Sequence, residues 1–293
     1  MSGADTDDGG GVRDALRYLL VLSRPRFWLY LTGPVMVGVV YAADGRGDLL
    51  TPTTVGLFAY FLLPANVYLY GVNDVFDAPI DAENPKKDDR EVRYRGQRFV
   101  PAAVLASGLA LLPVAALVDP IAWPWLAGFA VLATAYSAPP LRLKTTPLLD
   151  SLSNGLYVLP GAAAYATVAG TQPPLWPVLG GVCWTMAMHT FSAIPDIEPD
   201  RAAGIATTAT LLGERRTYAY CAVVWGLAAV AFGVADVRAG AVLGIYPLLV
   251  VGIALSSVDV ERAYWWYPAI NAAVGAGLTL WGLAKVVPPS SLL

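Results

Sequence analysis

The chain of 293 residues is 56% hydrophobic and only 14% charged, with a mean hydropathy of +0.55. Soluble domains carry about 25% charged residues, so this composition excludes an ordinary soluble enzyme and points to an integral membrane protein. The net charge is −3 and the basic residues are dispersed among loops, which excludes nucleic acid as a partner.

Residues 1–11 form an acidic tail, expected to be disordered. Asp5, Asp7 and Asp8 stand where a signal peptide would carry its basic region. The stretch 12–23 predicts a short amphipathic helix lying on the membrane surface. A hydrocarbon core of about 30 Å needs roughly 20 apolar residues per helix. Spans are therefore expected near 27–43, 53–73, 99–118, 121–137, 149–169, 174–194, 217–234, 239–257 and 264–286. The fold class is all-α integral membrane: nine transmembrane helices in one domain, 12–288, embedded in the lipid bilayer. Cys183 and Cys221 both lie in apolar stretches and read as packing residues, with no disulfide or metal motif.

Basic residues orient the spans. With the N-terminus in the cytoplasm, the cytoplasmic segments collect Arg13, Arg17, Arg24 and Arg26, then Lys86, Lys87, Arg90, Arg93, Arg95 and Arg98. Arg142, Lys144, Arg201, Arg215, Arg216 and Arg262 follow. Only Arg46, Arg238 and Lys285 fall on the other side, in keeping with the positive-inside rule.

Two acidic clusters then face the cytoplasm. The first is Asn73-Asp74-Val75-Phe76-Asp77-Ala78-Pro79-Ile80-Asp81, at the end of the second span. The second is Asp196-Ile197-Glu198-Pro199-Asp200-Arg201, at the end of the sixth. Their matching positions, four spans apart, suggest two four-helix pseudo-repeats followed by a ninth helix, with a site at the interface of the halves. Asn73, Asp77 and Asp81 are spaced i, i+4, i+8 and share one face of a continuous helix; Asp196 and Asp200 repeat the i, i+4 spacing. Pro79 and Pro199 are expected to kink or end these helices. Acids on one face repel each other unless a cation lies between them. Hard carboxylate oxygens suit Mg²⁺, which is commonly shared with substrate phosphates. One such cluster alone could equally be a solvated acidic loop; two at equivalent positions favour a metal–diphosphate site.

A diphosphate also needs cationic side chains. The loop Tyr136-Ser137-Ala138-Pro139-Pro140-Leu141-Arg142-Leu143-Lys144 is stiffened by its prolines and presents Arg142 and Lys144 at the membrane surface. Arg24 and Arg26 stand at the mouth of the first span, and Arg201 follows the second cluster. Each could ligate phosphate oxygens, or could serve only to anchor a helix end. His189, the only histidine, reads as a packed or hydrogen-bonded residue ahead of a base. Asn154 reads as cavity-facing or bonded between helices. The run Tyr264-Trp265-Trp266-Tyr267 reads as an interfacial aromatic belt. Gly204, Thr207, Thr208 and Gly213 mark a turn-rich loop able to close over a diphosphate.

Three of these motifs together resemble the UbiA family of intramembrane prenyltransferases. They are NDxxDxxxD at Asn73–Asp81, YxxPPxRxK at Tyr136–Lys144, and DxxxDRxxGxxTTAxxLG at Asp196–Gly213. The resemblance implies a ring-like bundle of nine helices. It also implies two Mg²⁺ ions and a prenyl diphosphate whose allylic cation attacks an acceptor in an apolar cavity. By position, Asn73, Asp77 and Asp81, supported by Asp74, resemble the ligands of one metal, and Asp196 and Asp200 those of the other. Arg24, Lys144 and Arg201 resemble diphosphate contacts, and Tyr136 a residue that holds the diphosphate or shields the cation. Within the family, the Ser192–Asp200 string is most similar to haloarchaeal lycopene elongases. That similarity implies dimethylallyl diphosphate as donor, lycopene as acceptor and hydration of the product on the route to bacterioruberin, beside other carotenoid-pathway enzymes. A pI near 5.1 suits such an origin. The alternatives are an archaeal ether-lipid synthase and a quinone-precursor prenyltransferase. A transporter, the contrasting class, would place ionisable residues at mid-membrane, where these spans carry almost none.

Overall fold

The computed structural model describes residues 8–81 and 92–287, the side chains of 8–10 and 79–81 excepted. Lys86, Lys87 and Arg90, and the Asp81 side chain, lie outside the described residues. Among the described residues all regular structure is helical. The first half contains α1 (Asp8–Leu22), α2 (Trp28–Ala42), α3 (Pro52–Leu62), α4 (Pro64–Asp81), α5 (Phe99–Leu109), α6 (Leu111–Leu117), α7 (Trp123–Ala135), α8 (Leu149–Leu152) and α9 (Leu159–Ala169). The second contains α10 (Leu175–Ser192), α11 (Ile197–Ala202), α12 (Thr208–Leu212), α13 (Glu214–Ala235), α14 (Val237–Leu243), α15 (Ile245–Leu255) and α16 (Val260–Val286). Among the described residues, 5 segments are long and apolar enough to cross a membrane: Pro52–Ala78, Phe99–Leu117, Glu214–Ala235, Val237–Leu255 and Val260–Val286. Pro120–Ala135 is a shorter apolar helix.

Several expected spans are broken helices, and proline accounts for the breaks. A proline has no N–H to donate and its ring crowds the carbonyl four residues back. Pro113 faces Leu109, where α5 ends; Pro247 faces Leu243, where α14 ends; Pro64 starts α4 just after α3 stops. The fifth predicted span is α8, a 3-10 segment (Ser153–Tyr157) and α9 in sequence. Helix α1 begins at Asp8, inside the stretch expected as a tail.

The two acidic segments differ from expectation in opposite ways. Helix α4 runs unbroken through Asn73, Asp74 and Asp77, with Pro79 in its final turn. The second segment breaks upstream of Pro199: α10 stops at Ser192, a 3-10 turn (Ile194–Asp196) follows, and α11 starts at Ile197. Pro199 sits in the first turn of α11, where its missing N–H costs nothing.

The buried apolar side chains form two main clusters. One joins α2, α3, α4, α6, α7 and α9 through Leu31, Leu57, Phe61, Leu126 and Phe129. The other joins α10, α13, α15 and α16 through Phe191, Trp225, Tyr246 and Tyr267. Helices α2 and α9 meet at a glycine contact so close that a Cβ on Gly38 would stand 2.2 Å from the Gly161 carbonyl oxygen. The two clusters flank a cavity of about 770 Å³.

Candidate active site

The cavity has apolar walls supplied by Val37, Leu69, Val178, Met188, Val274 and Leu278. One end is lined by Arg24, Asn73, Tyr136, Asn154 and His189, and other lining residues include Asp236 and Lys285. Lys285 Nζ lies 3.4 Å from Asp236 Oδ2.

Local chain geometry assembles the first of these groups. The backbone at Arg24 is left-handed, with φ at 50°, which turns the chain between α1 and α2. Its guanidinium lies 4.6 Å from the Tyr70 ring centroid and 3.3 Å from Asp74 Oδ1. Asp74 is only 2% exposed. A carboxylate so buried needs a charged or hydrogen-bonding partner, and Arg24 is one. Immediately before it on α4, Asn73 Nδ2 donates to Ser137 Oγ at 3.1 Å.

Asp77 faces the proline loop. Arg142 donates to its Oδ1 at 2.8 Å and Lys144 donates to its Oδ2. The loop folds back on itself, with Lys144 N–H donating to the Tyr136 carbonyl at 3.1 Å, so Tyr136 and both cations sit together above α4. Thus Lys144 and Arg142, both expected as groups able to ligate phosphate, each pair with an expected metal ligand.

The second cluster is arranged differently. Asp196 stands immediately before α11 and Asp200 within it, both half-buried. Arg201 is exposed; it donates to Glu198 Oε1 at 2.8 Å and to the Thr210 carbonyl at 2.9 Å, bridging α11 and α12. It is absent from the cavity lining, unlike Arg24. Among the described residues no group of 3 or more His, Cys, Asp or Glu is placed to hold a metal ion. Mg²⁺ does not require such a cage, because it keeps waters and takes one or two carboxylates together with substrate phosphates. The oxygen-rich pairs Asn73 with Asp77, and Asp196 with Asp200, suit that chemistry.

Residues 31–285 match the UbiA prenyltransferase family. The chain belongs to that family. It is 63% identical over 289 residues to a lycopene elongase/hydratase of Haloferax volcanii, covering 98% of this chain and 96% of the relative. It is 64% identical over 271 residues to the lycopene elongase/hydratase of Halobacterium salinarum, covering 92% and 98%. A solved UbiA homolog from Archaeoglobus fulgidus, bound to DMAPP and Mg²⁺, superposes with a TM-score of 0.73 at 18% identity, covering 91% of this chain and 99% of that one. The all-helical fold is therefore UbiA-like, and the enzyme is a prenyltransferase.

This UbiA-family chain also carries a buried carboxylate that lies outside the three motifs. Asp150 is fully buried, and accepts from the Thr208 backbone N–H at 2.9 Å and from the Thr208 hydroxyl. Leu148 N–H in turn donates to Thr208 Oγ1 at 2.8 Å. The Thr-Thr loop therefore docks on a buried carboxylate; Thr207 caps α12. A lone Asp opening an apolar span was the available signal. Asn154 lines the cavity and donates to the Asp150 carbonyl at 2.6 Å. The aromatic run divides: Trp265 and Trp266 are exposed, Tyr267 is buried, and Tyr264 lines the cavity. Deeper in, Asn271 joins α16 to its neighbours, donating to Tyr30 Oη at 3.0 Å and accepting from Tyr246 Oη at 2.8 Å.

Proposed function

We propose that the enzyme transfers the prenyl group of an allylic diphosphate, dimethylallyl diphosphate, to the ends of lycopene. The products are C45 and then C50 carotenoids, with hydration of the new end group, on the route to bacterioruberin. The observation that carries this reading is the shape and chemistry of the cavity. A mouth bearing Arg24, Asn73 and Tyr136 opens onto apolar walls, which suits a charged donor head beside a polyene. The high identity to the Haloferax and Halobacterium elongases supports the choice of acceptor.

In this reading Asn73, Asp77 and Asp81 hold one Mg²⁺, with Asp74 fixing Arg24 beside them, and Asp196 and Asp200 hold a second. Bound there, such ions would supply positive charge that stabilises the leaving diphosphate. Arg24, Lys144 and Arg201 contact the diphosphate; Lys144 and Arg142 turn from Asp77 to phosphate oxygens when the donor binds. Electron-rich faces of Tyr136, Tyr70 and Tyr157 shield the allylic cation, and the apolar walls keep bulk water from it. Nine spans, in two pseudo-repeats plus a ninth helix, place the mouth and the N-terminus on the cytoplasmic side of an archaeal cell membrane.

Expression in a lycopene-producing bacterium, followed by chromatography and mass analysis of the pigments, tests the reading. New C45 and C50 carotenoids are expected. Unchanged lycopene, with the enzyme in the membrane and dimethylallyl diphosphate present, would overturn the acceptor and favour an ether-lipid substrate.

A further inference from the structure

We infer that His189, positioned by Asp150, is the proton acceptor that directs water onto the product cation. The inference rests on the proposed lycopene reading and names the residue that performs its hydration step.

Three observations carry it. His189 lines the cavity, and 20% of its side chain is accessible there. Its ring packs edge-on to Tyr136, with centroids 6.0 Å apart, so it stands beside the mouth where the donor is ionised. Behind it, Nε2 lies 3.8 Å from Asp150 Oδ2. That carboxylate cannot swing away, because both its oxygens accept from Thr208. Among the described residues no hydrogen bond occupies the imidazole, which leaves a ring nitrogen for a ligand in the cavity. A base oriented by a carboxylate is a recurring device for moving a proton.

The step balances as follows. The allylic C–O bond breaks and its electron pair leaves with the diphosphate. The terminal C=C bond of the acceptor gives its electron pair to the allylic carbon, forming a C–C bond and leaving a tertiary cation. A water lone pair forms the C–O bond to that cation, and the proton released from this oxygen passes to the imidazole. Asp150 stabilises the imidazolium until the proton returns to solvent. Without the imidazole, the tertiary cation instead loses a proton from a neighbouring carbon to water or the released diphosphate and yields an unhydrated alkene.

The test compares wild type, His189→Gln and Asp150→Asn in lycopene-producing cells, scoring hydrated against unhydrated C45 and C50 pigments. Wild type should give mainly hydrated products. In both variants the ratio of hydrated to unhydrated elongated pigment should fall at least about tenfold, whatever the total yield, since a positioned base typically contributes a hundredfold or more. An unchanged ratio in His189→Gln would overturn the inference. So would loss of all elongation in both variants at normal membrane levels, because the pair would then serve ionisation or folding. If wild type itself leaves lycopene untouched, the acceptor reading fails first and this assignment falls with it.

Discussion

At the residue scale, one carboxylate shows how the site is balanced. Asp77 is held by Arg142 and Lys144, so no charge at this point of the membrane edge stands alone. In the proposed reading a donor diphosphate competes for the same cations, and its binding is then coupled to release of the carboxylate. Asp77→Ala should therefore reduce prenyl transfer by more than about a hundredfold, with the protein still inserted; turnover per unit of membrane protein checks this. Lys144→Ala removes a charge-assisted contact worth about 1.5–3 kcal/mol. It should weaken donor binding roughly tenfold or more, read by titration with a labelled prenyl diphosphate. Thr208→Val leaves a fully buried oxygen of Asp150 without its hydroxyl donor, at a cost of about 1–3 kcal/mol. The thermal midpoint in detergent should fall, and Thr208→Ser should restore it. The candidate carboxylates, amide and basic residues were named from their spacing and motifs. Asp150 was not, because a single acid in an apolar stretch announces neither its partner on α12 nor its neighbour on α10.

At the scale of elements, the prolines convert expected straight spans into pairs of shorter helices. Each break was written in the sequence, yet its consequence depends on which neighbour fills the gap. Helix α4 shows the opposite outcome: Pro79 lies late enough that the acidic face forms on an uninterrupted helix. Close packing of α2 on α9 depends on glycine at both positions. A Cβ at Gly38 would meet backbone, which cannot move aside as a side chain can. Gly38→Ala should force the helices apart and cost about 1–3 kcal/mol, seen as a lower unfolding midpoint. Gly226→Ala on α13, where an added Cβ meets nothing within 4 Å, should be neutral or slightly stabilising, since alanine is the better helix former.

At the scale of the whole molecule, two buried clusters leave a cavity between them, and α16 closes one side. Arg26 ties that helix to the mouth, stacking its guanidinium 3.7 Å from the Trp265 ring centroid and donating to the Trp265 carbonyl. Gly275 lines the cavity, and a Cβ there would meet nothing within 4 Å. Gly275→Phe should therefore project a ring into the cavity, the space the proposed reading gives to the acceptor. Elongation is expected to fall about tenfold or more, as a misplaced substrate loses its reactive geometry. Binding of labelled prenyl diphosphate should be unchanged. Equal loss of both would mean that donor and acceptor share that part of the cavity.

The sequence by itself determined the membrane class, the approximate apolar segments, the two acidic clusters, the proline loop and the family they define. These signals are local: composition, hydropathy over some twenty residues, and spacing along one helix. Tertiary structure alone decided which charges pair, that Arg201 bridges α11 and α12 while Arg24 lines the cavity, and that Tyr264 turns inward from an otherwise exposed aromatic run. It alone set Thr208 and His189 against Asp150, although the three are distant in the chain. Such pairings depend on how helices rotate and dock, and close packing of many weak contacts sets that. No single residue spacing encodes it.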